Sequence, residues 1–165
     1  MFLRDYIEIF CFDGKRMEIN TASAIREEII SLQKQQLESI KSSGTWWTGM
    51  ERSFFALQAR SCVTGDKNPI QLDQINDLRS SRFSAAQDVV STLAGNGKYI
   101  NRKTMDNALD AGLSEAEYIE LIGVTTRSIS LDIFSKGVGL PYATYEIPEN
   151  SVPPKQLPTF LKKEG

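Results

Sequence analysis

Helix start signals constrain the fold of this chain more than any other feature. A serine or threonine is followed three residues later by glutamate or glutamine at residues 48–51, 84–87 and 114–117. In such a capping box the hydroxyl oxygen accepts a hydrogen bond from the third backbone amide of the helix, and the longer side chain binds the amide of the cap residue. The three motifs predict helices that begin at residues 48, 84 and 114, and they favour an all-α fold.

Apolar spacing and glycine stops supply the rest of the helical pattern. Asn68 followed by Pro69 is typical of a helix start, and glycine is the residue that most often follows a helix end. Together these signals predict helices over about 21–42, 46–62, 68–79, 84–95, 101–112 and 115–136.

The helix predicted over 115–136 is apolar around most of its circumference. A helix of this kind is buried at the centre of a domain or lies between two subunits. We therefore expect a homodimer or a higher symmetric oligomer, with this helix or the C-terminal tail at the interface.

Both ends of the chain differ from the helical middle. Residues 1–20 alternate loosely and contain Asp13-Gly14, so we expect a short extended segment there, with any strand confined to it. Five of the six prolines lie at or after Pro141, which predicts a proline-rich C-terminal arm. The predicted organisation is an extended segment over 1–20, a helical domain over 21–140 and a tail over 141–165.

The composition is that of one soluble domain. Of the 165 residues, 41% are hydrophobic and 24% are charged, and the net charge of −2 comes with no basic run that would favour nucleic acid. The apolar runs are too short to span a bilayer, and the N-terminus lacks the apolar region of a signal peptide. We therefore expect a cytoplasmic protein with neither a membrane nor a nucleic-acid partner.

The chain contains no histidine and two cysteines, Cys11 and Cys62. The lack of histidine excludes Ser-His and Cys-His catalysis and histidine-ligated metals, and two lone cysteines cannot build a structural zinc site. Residues 95–98 contain two glycines without the spacing of a phosphate-binding loop. The sequence therefore predicts no metal and no other cofactor, and it leaves any chemistry to Cys, Asp, Glu, Lys, Tyr or Arg.

The order of these pieces resembles a known family. A W-x-x-x-E-R helix start leads into a cysteine turn, and the segments 111-AGLSEAEYIELIGV-124 and 131-LDIFSKGVGLP-141 follow. This pattern, over roughly residues 45–141, resembles the AhpD-like (alkylhydroperoxidase / carboxymuconolactone decarboxylase) family, in a branch with a proline-containing C-terminal extension. The resemblance implies an AhpD-like helical bundle that assembles as dimers, trimers or hexamers of dimers.

The resemblance also implies candidate catalytic residues. Peroxidase members of the family use a C-x-x-C pair, a histidine after it and a glutamate upstream. Glu51 matches the upstream glutamate and Cys62 the first cysteine, whereas Gly65 stands where the second cysteine belongs and the histidine has no counterpart. We therefore predict little or no dithiol peroxidase activity.

Each of these residues also has an ordinary structural interpretation. Cys62 is either a single reactive thiol, which requires a lowered pKa, or a small apolar residue of the core. Glu51 is either catalytic or only the capping side chain of its helix. Eleven residues of continuous helix place it about 16 Å from Cys62, so the two cannot touch directly.

Asp132 is the third candidate catalytic residue. With Thr125 and Ser128 it forms a polar line on the mostly apolar last helix. It either faces water, with Lys136 one turn away, or occupies a pocket with a cationic partner. The candidate partners are Arg60, Arg102 and Arg127.

Four residues are candidate substrate contacts. Trp46 and Trp47 precede the second predicted helix and either line a substrate site or anchor the core or a subunit interface. Arg60 and Arg127 are the cationic candidates. A small-molecule ligand is the expected partner of such a site.

Three hypotheses for function remain open at this point. The first is a non-peroxidase member of the family, with a binding or structural role or with activity on an unknown substrate near Asp132 and the Cys62 turn. The alternative is a single-cysteine peroxidase or thiol-dependent hydroperoxide reductase that uses Cys62. Decarboxylase or lactone chemistry is the weakest, because no base with a tuned pKa is evident. If the chain is an enzyme, we expect an oxidoreductase of the peroxidase-related type.

Overall fold

Helices make up most of the part of the chain that the structure describes. The structure is a computed structural model, and it describes residues 25–66, 80–145 and 152–156. These residues contain no strand, which confirms the all-α class. Five α-helices and one 3-10 turn occur in them: α1 Glu27–Lys41, α2 Gly49–Thr64, α3 Ser81–Asn96, the 3-10 turn Gly97–Tyr99, α4 Arg102–Asp110 and α5 Glu115–Gly137.

Four predicted segments lie partly or wholly outside the described residues. These are the extended segment 1–20, the start of the helix predicted over 21–42, the short helix 68–79 and much of the proline-rich arm. Within the described residues α1 begins at Glu27, after Arg26 in an extended conformation. The described pieces of the arm, 141–145 and 152–156, have no regular secondary structure.

Two of the three predicted capping boxes form. The Thr48 and Ser114 hydroxyl oxygens each accept a hydrogen bond from the backbone amide three residues on, and Glu51 and Glu117 each bind the amide of the cap residue. Because each box joins residues only three apart, it starts α2 or α5 without help from distant parts of the chain.

The predicted start of α3 at Ser84 is wrong by one turn. The N-cap is Ser80, whose hydroxyl oxygen accepts a hydrogen bond from the Phe83 amide. The Phe83 side chain is fully buried, whereas Ser84 is exposed. The earlier start places Phe83 in the first turn and against the core, so packing decided between two serines that are both good caps.

The helices α2, α3 and α5 run parallel to one another. Near their N-termini Arg52 of α2 binds Glu120 of α5, and near their C-termini Arg60 of α2 binds Asp132 of α5. The Gln58 side chain of α2 likewise reaches α3 about three turns after its start, at Ser91.

Of the two remaining helices, α1 precedes the three parallel helices and α4 returns the chain from α3 to α5. The C-terminal end of α1 lies beside the N-terminal end of α2, because the Ser39 and Ile40 carbonyls accept from Arg52. The end of α4 lies beside the start of α3, because the Ser81 hydroxyl donates to the Ala111 carbonyl. Because α4 starts after the end of α3 and ends beside its start, α4 is antiparallel to α3.

The central helix of the domain is α2. Every residue from Glu51 to Leu57 is buried, so all sides of this stretch are covered. Its aromatic side chains pack with others in a cluster in which ring centroids lie 5.1–5.9 Å apart: Trp47, Phe54, Phe55 and Phe83.

The last helix, α5, is not at the centre of the domain, which was one of the two positions predicted for it. Ile119 and Ile133 of α5 are each 66% exposed. The central helix is α2 instead. Its charged residues Glu51 and Arg52 are buried because hydrogen bonds and salt bridges compensate for their loss of water, and the hydrophobic pattern of the sequence does not show this. An interface between subunits on α5 stays a prediction.

The described pieces of the C-terminal arm contact opposite ends of α2. Ala143 and Tyr145 are buried, and the Tyr145 ring lies beside Arg60, near the C-terminal end of α2. Pro153 is also buried, and the Lys155 amide donates a hydrogen bond of 2.9 Å to the Thr45 carbonyl, just before α2. No helix among the described residues is long and apolar enough to cross a membrane.

Candidate functional site

Two clusters of charged side chains join α2 to α5. We call the first the Arg52 cluster: Arg52, Glu120, Arg82 and the capping glutamates Glu51 and Glu117. We call the second the Arg60 cluster: Arg60, Asp132, Tyr142 and Tyr145. Of the three residues that the sequence offered for catalysis, Glu51 and Asp132 belong to these clusters, whereas Cys62 lies outside both.

The Arg60 cluster is built on a bidentate salt bridge between the neighbouring parallel helices α2 and α5. The Arg60 Nε donates to Asp132 Oδ2 at 2.8 Å, and its Nη2 donates to Asp132 Oδ1 at 2.7 Å. The side chains of Arg60 and Asp132 are only 13% and 14% exposed. This fork-to-fork geometry fixes both side chains, and of the three predicted partners of Asp132 the structure selects Arg60.

Two tyrosines of the C-terminal arm pack against the Arg60 guanidinium. Its Cζ lies 4.9 Å from the centroid of the Tyr142 ring and 5.2 Å from that of Tyr145. A guanidinium at this distance from an aromatic face is attracted by the ring quadrupole. Burial opposes the charge of Arg60, but the hydrogen bonds and negative charge of Asp132 outweigh burial and raise the pKa of Arg60 above its usual value.

The Tyr145 hydroxyl is a buried polar group that makes no hydrogen bond to any described residue. Its side chain is 7% exposed. Burial, with the negative charge of Asp132, raises the pKa of Tyr145 well above its usual value, and the positive charge of Arg60 offsets only part of this. The hydroxyl is therefore neutral, and the Arg60 guanidinium lies close to it, although no group of the described residues meets it with hydrogen-bond geometry.

The other two predicted arginines lie elsewhere. Arg127 is exposed and donates to the Ser39 hydroxyl at 3.4 Å, and it is turned about 140° around α5 from Asp132. Arg102 pairs with Asp106 on the surface of α4. The structure brings neither of them to Asp132.

Cys62 is an exposed free thiol in the last turn of α2, so its interpretation as a small core residue is wrong. The neighbouring helices cover α2 over its first turns, and this coverage ends before Cys62. Residues two apart on a helix point about 200° from each other, so Cys62 faces the opposite side of α2 from Arg60 and Asp132. No hydrogen bond or ion pair joins it to another described residue.

Gly65 closes α2 immediately after this turn. Its φ of 80° is in the left-handed region, and its amide donates to the Ser61 carbonyl at 2.9 Å. Glycine adopts this conformation without the cost of about 1–2 kcal/mol that a β-carbon imposes. The position that a second cysteine would occupy therefore serves as the helix stop.

The Arg52 cluster leaves no side-chain nitrogen of Arg52 without a partner. Its guanidinium donates to Glu120 Oε1 at 2.6 Å and to the Ser39 and Ile40 carbonyls at 2.6 and 3.2 Å. A β-carbon added at Gly44 would overlap the ends of the Arg52 and Glu120 side chains, so glycine leaves room for this pair. The cluster clamps the α1–α2 turn onto α5.

The capping glutamates extend the Arg52 cluster toward α3. Arg82 of α3 donates to Glu117 Oε1 at 2.9 Å, and its Nη1 lies 4.0 Å from Glu51 Oε1. Glu51 Oε2 accepts from the Thr48 amide and hydroxyl at 2.8 and 2.9 Å, so the capping role predicted for Glu51 is confirmed. Burial opposes the charge of Glu117, but hydrogen bonds from Ser114 and Arg82 lower its pKa below the usual range.

The two tryptophans belong to the core beside this cluster. Trp47 is fully buried, donates through Nε1 to the Glu117 carbonyl at 3.0 Å, and lies 4.0 Å from the Arg82 guanidinium carbon. Trp46 is half-buried against the core, and its amide donates to Glu120 Oε2. Their positions match the core-anchor interpretation rather than a substrate-lining one.

Sequence reasoning missed several residues of the clusters. Neither the charged partners Arg82, Glu117 and Glu120 nor the two tyrosines of the arm, Tyr142 and Tyr145, were singled out. The signal for the tyrosines was weak but present, because an arm too apolar to be disordered must pack on something.

A separate groove of about 410 Å³ lies between α3 and α4. It is lined mainly by small and hydroxyl-bearing side chains, such as Ser84, Thr92 and Thr104, and by Asp88. None of the residues that the sequence singled out as catalytic or substrate-binding lines it. Across the described residues there is also no group of three or more Cys, Asp or Glu side chains placed to hold a metal ion.

The thiol and the ion pair are thus separate features of one helix. Cys62 is exposed to solvent on one side of α2, while the Arg60 cluster holds a closed ion pair and a buried hydroxyl on the other. Comparisons of the chain with models of protein families, with curated proteins and with solved structures find no match.

Proposed function

We propose that the chain is an AhpD-like helical protein that lacks dithiol peroxidase activity and acts in the cytoplasm by binding a small molecule. The observation that carries this proposal is the separation of Cys62 from the two candidate carboxylates. Asp132 is held by Arg60 on the opposite side of α2, and Glu51 is held in the capping box at the far end of the helix.

Dithiol peroxidase chemistry needs a second thiol and a group that moves a proton. The position of the second thiol is occupied by Gly65, which the left-handed helix stop favours. A proton donor for the departing oxygen must lie within hydrogen-bond reach of the reacting thiol. Neither Glu51 nor Asp132 meets that condition, since each is committed to structural contacts away from Cys62.

The Arg60 cluster is the better supported place for binding. The buried Tyr145 hydroxyl has no partner among the described residues, and Arg60 keeps Nη1 outside its two bonds to Asp132. A small molecule with hydrogen-bond acceptors would satisfy both groups without breaking the ion pair. An enzyme acting on an unknown substrate at this cluster is a variant of the same proposal.

The exposure of Cys62 favours a second candidate function, a single-cysteine hydroperoxide reductase. In that reaction the thiolate attacks one peroxide oxygen, the O–O bond breaks, and an alcohol or water leaves with a proton from solvent. The resulting sulfenic acid is returned to the thiol by two equivalents of an external thiol, which are oxidised to a disulfide. An accessible thiol is necessary for this reaction, and Cys62 provides one.

Hydroperoxide consumption with an external thiol as reductant separates the two functions. We expect the wild type, Cys62→Ser and Cys11→Ser to show the same negligible rate. Rapid turnover in the wild type and in Cys11→Ser that is lost only in Cys62→Ser would overturn the proposal and establish the single-cysteine enzyme. Turnover lost in both variants would establish a dithiol enzyme that uses Cys11 and Cys62.

A further inference from the structure

The outer face of α5 is an apolar helix surface that nothing in the described chain covers. Ile119 and Ile133 are each 66% exposed. Between and beside them lie half-buried isoleucines and exposed small polar residues. We define the outer α5 face by the following residues: Glu115, Ile119, Ile122, Gly123, Thr126, Ile129, Ser130, Ile133 and Lys136.

Gly123 leaves room for another backbone to approach this face closely. It lies in the middle of α5, where glycine costs about 1 kcal/mol relative to alanine. A β-carbon built there would meet no atom of the described chain within 4 Å. Packing within the described chain therefore gives no reason for glycine, whereas close approach of a partner to the face gives one.

The outer α5 face is nearly palindromic about Thr126. Ile119 precedes Thr126 by seven residues and Ile133 follows it by seven. Ile122 and Ile129 lie four residues before and three residues after Thr126, and the small residues Gly123 and Ser130 lie three residues before and four residues after it. Each residue of these pairs lies within about 60° of Thr126 around the helix, so the symmetry concerns one face and not the sequence alone.

We propose that this face binds the same face of a second copy of the chain, with the two α5 helices antiparallel and the two-fold axis at Thr126. In such a pair Ile119 packs on Ile133 of the partner subunit, and the same contact occurs a second time by symmetry. Gly123 and Ser130 lie on one edge, where their small size lets the helices approach closely. Ile122 and Ile129 close the opposite edge.

Charge complementarity selects a second copy and fixes its direction. Glu115 and Lys136 are exposed at opposite ends of the face, eleven and ten residues from Thr126. An antiparallel pair brings Glu115 beside the partner's Lys136 at both ends of the interface. A parallel pair would instead place each charge beside its own copy, which is repulsive.

Sedimentation of the full chain at micromolar concentrations tests the dimer. We expect a dimer of the 18.5 kDa chain. Ile133→Asp should weaken it about 30-fold or more, because it buries a carboxylate without a partner at two symmetric places in the interface. A helical circular dichroism spectrum equal to that of the wild type checks the fold, and since Ile133 is exposed in the single chain we expect no loss of it. A monomer in the wild type, or a dimer that Ile133→Asp leaves unchanged, would refute the proposal.

A charge exchange tests the direction of the helices. Glu115→Lys and Lys136→Glu should each weaken the dimer about threefold, as expected for exposed pairs, and the double variant should recover most of the loss. A double variant whose loss equals the sum of the two single losses would exclude the antiparallel pairing.

Disulfide trapping tests the position of the axis. Thr126→Cys in a Cys11→Ser, Cys62→Ser background places two thiols across the two-fold axis. Helices packed about 8–10 Å apart bring the α-carbons at the contact within disulfide range. We expect rapid disulfide dimer formation, and much slower formation with Ser84→Cys, an exposed position on α3 in the same background. Equal rates for the two variants would show that Thr126 is not at the axis.

Discussion

Arg52 and Arg60 both lie on α2 and both bind a carboxylate of α5, but their surroundings differ. All side-chain nitrogens of Arg52 donate to protein oxygens, two of them backbone carbonyls of α1. Arg60 donates only to Asp132 among the described residues and lies between tyrosine rings instead. One guanidinium is surrounded by acceptors and the other by aromatic faces.

The difference separates a structural ion pair from a candidate site. A buried polar group that is fully hydrogen-bonded rigidifies its surroundings and has no capacity left for a ligand. The Arg52 cluster is of this kind, and it fixes the N-terminal ends of three parallel helices. The Arg60 cluster keeps a buried Tyr145 hydroxyl that makes no hydrogen bond to a described residue, so it is the region where we propose that a ligand binds.

The largest effect that we predict breaks the Arg52 cluster. Arg52→Met should lower the free energy of unfolding by about 3–5 kcal/mol, because it leaves Glu120 buried without a counter-charge. Chemical denaturation monitored by circular dichroism measures this. The matched control is Arg102→Met, which removes an exposed pair with Asp106 on α4 and should cost less than about 0.5 kcal/mol. Equal losses in both variants would contradict the structural role of Arg52.

A smaller loss is expected in the Arg60 cluster. Asp132→Asn keeps the shape of the side chain but removes its charge, and should cost about 2 kcal/mol, the value of hydrogen bonds to a charged group. The double variant Arg60→Met/Asp132→Leu removes both charges and should recover most of that loss. Denaturation curves of the wild type, Asp132→Asn and the double variant measure both the loss of stability and its recovery. If the double variant is less stable than Asp132→Asn, then the contacts of Arg60 with the two tyrosine rings stabilise the fold in addition to its ion pair with Asp132.

Acid conditions should affect the Arg52 cluster through Glu117. The folded state lowers the pKa of Glu117 below its unfolded value near 4.5. The resulting stability is present above that value and is lost as pH falls through the folded pKa. Glu117→Gln should cost about 1 kcal/mol at neutral pH, the value of a helix cap. The difference in the free energy of unfolding between the variant and the wild type should shrink below about pH 4.5, as measured by denaturation curves. A difference that does not change with pH would show that the charge of Glu117 contributes nothing.

The smallest expected effect concerns the Tyr145 hydroxyl, and it has the opposite sign. Tyr145→Phe removes a buried group without a partner and should be neutral or stabilising by about 0.5 kcal/mol. The folded state raises the pKa of Tyr145, so the wild type should lose stability as pH rises from about 10, its unfolded value, and the variant should lose less. Thermal unfolding across alkaline pH tests this. A loss above 1 kcal/mol at neutral pH would mean that the hydroxyl is already bonded.

The sequence was informative wherever the signal was local. The capping boxes at Thr48 and Ser114 join groups three residues apart, so they form in any context that tolerates a helix. The start of α3 shows the limit of such signals, because Ser80 and Ser84 are both suitable caps. The burial of Phe83, which depends on the whole core, decided between them.

The candidate functional residues also divide into those that a local sequence signal assigned correctly and those that depended on tertiary packing. Glu51 was assigned correctly to its capping box from spacing alone. Asp132 was recognised as an unusual carboxylate, but three arginines were equally good partners in the sequence. The interpretation of Cys62 as a core residue was wrong, because the sequence does not show where neighbouring helices stop covering α2.

The sequence by itself therefore determined that the described chain is helical, where α2 and α5 begin, and that no histidine-based or two-cysteine-turn chemistry is available. Only the tertiary structure decided that α2 rather than α5 is central, and that Arg60 meets Asp132. The pairs Arg52–Glu120 and Arg60–Asp132 join residues 68 and 72 positions apart. Contacts at such separations depend on how parallel helices pack, and packing is a collective result of many side chains that no short stretch of sequence specifies.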